Sequence, residues 1–95
     1  MYDVNHLVVS GDVLGIPMRI KTGDSMTATI KIRSNPFGED HRESVYEIAC
    51  HGELADSVTK TIQAGQKILV SGQLEQCIIG DKRLRIVADK VQRLI

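Results

Sequence analysis

Arg19, Lys21, Lys31, Arg33 and Arg42 crowd the first half of this 95-residue chain, set against Asp24, Glu39 and Asp40. A second basic group, Lys82, Arg83 and Arg85 with Lys90 and Arg93 beyond, stands against Asp89 alone. Guanidinium and ammonium groups neutralise phosphates, and aromatic rings give bases a surface to stack on. The rings that accompany these cations are Phe37, just before Arg42, and the imidazole of His51. The formal net charge is nonetheless zero, and the middle of the chain, from Glu43 to Asp81, is acidic. Any basic surface is therefore a local stripe on a neutral molecule.

Other chemistries are poorly served. Ser10-Gly11-Asp12 and Gly23-Asp24-Ser25 each put an acid beside a serine, but neither forms a nucleophile elbow, and turn chemistry accounts for both. There is no phosphate-binding loop and no metalloprotease helix. Glu39 and Asp40 sit in a polar loop. His6, His41 and His51 share no ligand spacing with each other or with Cys50 and Cys77, so no metal and no cofactor are expected. The two cysteines form no CxxC and read as a reduced pair. The expectation is a protein that is not an enzyme.

The elements that must position the cations are mostly strands. "NHLVVSGDV" is β-branched and predicts a first strand, bent or bulged at Gly11. "IPMRIKTGDSM", with Pro17 and a Gly23-Asp24 turn, reads as a connection holding a short extended piece. "MTATIKIRS" alternates: Met26, Ala28, Ile30 and Ile32 share one face, and Thr27, Thr29, Lys31 and Arg33 the other. Asn35 to Ser44 reads as a loop. In "VYEIACHG", Val45, Glu47, Ala49 and His51 share one face, and Tyr46, Ile48 and Cys50 the inner one.

Leu54, Val58 and Ile62, with Ala55 beside them, predict an amphipathic helix stopped by Gly65. "QKILVSGQLEQCII" and "RLRIVADKVQRLI" are two further strands joined through Gly80-Asp81. Five strands with one short helix between the third and fourth predict an all-β, five-stranded Greek-key OB-fold barrel, a single domain over residues 1–95; a small β-sandwich is the alternative. No apolar run approaches a membrane span, and the first residues lack the pattern of a signal peptide, so a cytoplasmic protein is expected.

"HGELADSVTKTIQAGQKILVSGQLEQ" resembles the bacterial single-stranded DNA-binding protein family. That family's pattern is an aromatic-Gly-Lys-Leu-Ala, a helix ending in Lys-Gly, and an apolar strand closing with Glu-Gly-x-Leu. Gly52, Leu54, Ala55, Gly65, Val70, Gly72 and Leu74 fall in place. "NHLVVSGDV" is similar to its opening strand and "VADKVQRLI" to its closing one. The end at Leu94-Ile95 and the run Pro17-Met18-Arg19 are similar to the short, tail-less primosomal replication protein N type, or to accessory proteins of mobile elements.

The resemblance implies binding of single-stranded DNA, or RNA, in an accessory role in replication, restart or recombination. It also implies a homodimer or homotetramer paired through the first strand, with replication or primosome proteins as further partners. The family's stacking aromatics are missing: the chain has no tryptophan, one phenylalanine and two tyrosines. Val45 and His51 stand where the family carries a tryptophan and a phenylalanine, Ile79 stands near another tryptophan, and Glu75 replaces a basic residue.

The expected interface is therefore a phosphate-tracking one with little stacking. It comprises Arg19, Lys21, Lys31, Arg33, Phe37, Arg42, His51, Lys82, Arg83 and Arg85. The competing expectation is an OB-fold assembly subunit with weak or no nucleic-acid binding, using Ile78, Ile79 and Leu84 for contacts.

Overall fold

Alternation with a period of two decides the second strand. In the structure, a computed structural model describing residues 3–35, 38, 43–76 and 83–94, Ala28, Ile30 and Ile32 are buried and Met26 packs against them. The threonines and cations between them face outward. This strand, β2 (Ser25–Ser34), pairs antiparallel with β1 (Leu7–Thr22) on one edge and with β3 (Ser44–His51) on the other. Helix α1 (Glu53–Thr61) follows, then β4 (Lys67–Gln76) and β5 (Leu84–Leu94).

β5 pairs antiparallel with β4 and parallel with β3, and β4 pairs with the first half of β1. The sheet thus closes into a barrel in the order β1-β2-β3-β5-β4. The interior is filled by Val13, Ile30, Ile32, Ile48, Cys50, Ile68, Val70 and Ile86. Helix α1 lays Ala55 and Val58 into the same core, joined by Ile62 just past its end. No buried polar side-chain atom lacks a partner among the described residues.

β1 is longer than its sequence suggests. It continues through Ile16–Thr22, where a connection is expected from Pro17 and the Gly-Asp turn. Leu14 lies opposite Lys31 and Met18 opposite Thr29, so four steps along β1 match two along β2. This bulge takes up Gly15, which has φ +76°, and Pro17, which has no N–H to give to a ladder. The irregularity expected at Gly11 lies here instead; Gly11 pairs in register with Ile68.

The helix also ends earlier than Gly65. Ile62 leaves helical geometry at φ −97°, ψ 131°, its N–H still bonded to the Val58 carbonyl at 2.9 Å. Gly65 belongs to the turn into β4 and donates its N–H to the Val13 carbonyl at 2.9 Å. The expected Gly80-Asp81 hairpin turn lies outside the described residues.

Candidate nucleic-acid interface

Residues directly opposite one another in a sheet project from the same face. Applied to the β1–β2–β3 ladders, this rule builds an outer face of four rows: Asp12, Arg33 and Val45; Leu14, Lys31 and Glu47; Met18, Thr29 and the fully covered Ala49; Ile20, Thr27 and His51. Two ladders thus bring Lys31, Arg33 and His51 together on one curved face, as their alternation requires. Thr27 Oγ1 lies 3.2 Å from His51 Nδ1 and holds the imidazole against β2.

Charge on this face is divided. Lys31 is exposed and makes no ion pair among the described residues, although Glu47 is its register partner. Arg33 Nε sits 3.7 Å from Glu43 Oε2. Both line a hollow of about 420 Å³ that also contains Asp12 and Lys67, themselves 3.8 Å apart. Each cation in that hollow already faces an acid. Beyond His51 the surface turns acidic, with Asp24, Glu53 and Asp56 around a second hollow of about 560 Å³. A phosphate chain crossing the face is repelled there, so Lys31 marks the centre of the usable track.

Arg19 and Lys21 do not join it. Their register partners are Ala28 and Met26, which puts both cations on the opposite face of the β1–β2 ribbon from Lys31. Arg85 is on β5, where its Nε donates to Glu75 Oε2 at 2.7 Å. Arg83 is exposed and lines a groove of about 360 Å³ beside Lys31. Phe37, Arg42 and Lys82 lie outside the described residues, as do Ile78 and Ile79.

The groove beside Lys31 contains what the sequence reading overlooked. Leu14, Ile16, Met18 and Ile20 form one wall, and Thr29, Lys31 and Glu47 the other. Ile16 is 88% exposed, Met18 65% and Ile20 52%. The signal was present as an alternation in "IPMRIK", with the apolar residues pointing outward.

Among the described residues, no three His, Cys, Asp or Glu side chains gather as a metal would require, and no helix is long and apolar enough to cross a membrane. Cys50 is buried in the core, and desolvation pushes its thiol up to about 11. A thiol so placed is neutral and unreactive at physiological pH.

A closed five-stranded barrel in this strand order, with its helix between β3 and β4, defines an OB-fold. Solved structures that match it include bacterial single-stranded DNA-binding proteins. The second single-stranded DNA-binding protein (SSBb) from Mycobacterium smegmatis matches with a TM-score of 0.81 and 21% identity, over 94% of this chain and 87% of that one.

The SSB domain of a Synechococcus sp. protein matches with a TM-score of 0.82 and 11% identity, over 97% and 98% of the two chains. The wild-type single-stranded DNA-binding protein from Thermus aquaticus gives 0.82 and 19%, over 97% of this chain and 41% of that one. At these identities the likeness is one of fold. No protein-family model matches the sequence, and no curated protein matches it.

Proposed function

We propose that this chain binds single-stranded DNA without catalysing a reaction, in an accessory role in replication, restart or recombination. The observation that carries this reading is Lys31, exposed at the centre of the outer β1–β3 face of an OB-fold barrel. Thr27, Thr29 and His51 lie on the same face as hydrogen-bonding groups. The solved structures of matching fold are named as single-stranded DNA-binding proteins, which supports the same reading. Binding is moderate and weakly selective for sequence, because backbone phosphates are held mainly by point charges.

The chain works as a dimer in the cytoplasm on this reading, beside replication or primosome proteins. In support, among the described residues Leu7 to Gly11 pair only with β4, since the β2 ladder begins at Asp12. One edge of that stretch is left for a second copy. Light scattering reads the oligomeric state directly.

The test is fluorescence anisotropy with a labelled oligo-dT of about 30 nucleotides, titrated over a salt series beside a matched duplex. Preference for the single strand, with log affinity falling by about 0.7 per neutralised phosphate for each decade of salt, is the expected result. Absence of binding at low salt overturns the reading. It would favour instead a protein-assembly subunit, for which the zero net charge and the exposed Leu74 and Leu84 are the supporting observations.

A further inference from the structure

The outward row Ile16, Met18 and Ile20 breaks the usual rule for a strand, since its apolar side chains face water while Arg19 and Lys21 occupy the inward-facing parity. The row is one side chain wide. Thr27, Thr29 and Lys31 flank it directly on β2. A protein–protein contact needs roughly 800 Å² per partner around an apolar core several side chains across. This row, bordered at once by hydroxyls and an ammonium group, is too narrow for that.

It suits a planar heterocycle attached to a phosphate. The groove holds about 360 Å³, lined by the apolar row on one side and by Lys31 on the other, with Arg83 also contributing. Glu47 lines it too, which limits the phosphates the groove accepts to those reached by Lys31. Outward side chains on one strand recur about every 6.8 Å. That is roughly twice the ~3.4 Å stacked spacing along one strand of a duplex. Neighbouring side chains of the row therefore match bases pulled apart, not a continuous stack. The thioether of Met18 is polarisable and makes favourable contacts with aromatic rings.

We infer that unstacked bases of a single strand rest on Met18 and Ile20, with Lys31 on an adjoining phosphate, so that an aliphatic platform on β1 stands in for stacking rings. This rests on the reading of the chain as a single-strand binder. It adds an apolar, salt-independent component to a site otherwise built from charge.

The experiment is the oligo-dT salt series repeated with Met18→Ser/Ile20→Ser and with Val4→Ser, an exposed apolar residue ahead of β1 and outside the groove. The double substitution is expected to weaken binding about tenfold at every salt concentration without altering the salt slope. Met18→Trp is expected to tighten binding, and Val4→Ser to leave it unchanged.

Equal affinity for wild type and double variant overturns the platform while leaving single-strand binding intact. Dissociation of a wild-type oligomer by the double substitution also overturns it, since the row is then a contact between copies. Failure of the wild-type protein to bind oligo-dT overturns both readings. Circular dichroism of each variant separates these outcomes from loss of the fold.

Discussion

Arg85 and Glu75 face each other across the β4–β5 ladder, with the guanidinium Nε donating to the carboxylate at 2.7 Å. The acid stands where the resemblance to single-strand binders calls for a basic residue, and it compensates one of the cations expected to reach phosphate. Glu75→Gln removes that negative charge from the ladder. Affinity for oligo-dT should rise about threefold at low salt, with a steeper salt dependence. Anisotropy over the same salt series measures both.

Lys31 gives the complementary prediction. Its ammonium group is the exposed charge at the centre of the outer face. Lys31→Ala should weaken binding and reduce the log–log salt slope by about 0.7, the value for one phosphate contact on a single strand. A slope identical to wild type would remove Lys31 from the track.

Gly72 tests the barrel rather than the site. A Cβ there would run into the Val87 carbonyl oxygen and stand 2.9 Å from Ala88 Cα, both backbone atoms of the neighbouring strand. Neither can move aside without distorting the β4–β5 pairing. Gly72→Ala should cost about 2 kcal/mol. For a chain of this size that lowers the melting temperature by about 10 °C, read by calorimetry.

Cys50 gives a pH dependence. Its folded thiol titrates near 11 because burial disfavours the thiolate, against an ordinary value of 9.0. Below pH 9 both folded and unfolded thiols are protonated, and the group leaves stability unchanged. Between 9 and 11 the unfolded thiol ionises while the folded one keeps its proton. Stability is therefore lost as pH rises, by about 1.4 kcal/mol per pH unit crossed. Urea midpoints of Cys77→Ser, compared with Cys50→Ala/Cys77→Ser over that range, isolate the contribution.

Much of the barrel was legible because burial is one-sided on most strands. Ile30 and Ile32, or Ile48 and Cys50, can alternate with polar neighbours in only one way, so their faces followed from spacing. The second half of β1 was not legible for the same reason turned round. Gly15 and Pro17 carry turn chemistry, and beyond them the outward residues are apolar while the inward ones are charged.

Read by the ordinary rule, "IPMRIK" gives either no strand or a strand facing the wrong way. Charge alone therefore groups Arg19 and Lys21 with Lys31, from which the sheet separates them. Arg85 had the right position, but its pairing with Glu75 depends on β4–β5 register, which composition does not reveal.

The β3–β5 join has a consequence for how the barrel comes together. Among the described residues only Ile48 with Ile86 and Ala49 with Val87 pair there, in parallel, against eight register pairs between β2 and β3. Hairpins close short loops, whereas this seam unites segments nearly forty residues apart. Such a closure, like the still longer-range β1–β4 ladder, comes late in folding, because its loop entropy is lost before the contact repays it. Once formed, the seam is also the shortest ladder to break, so it sets the place where the ring can part without the hairpins melting.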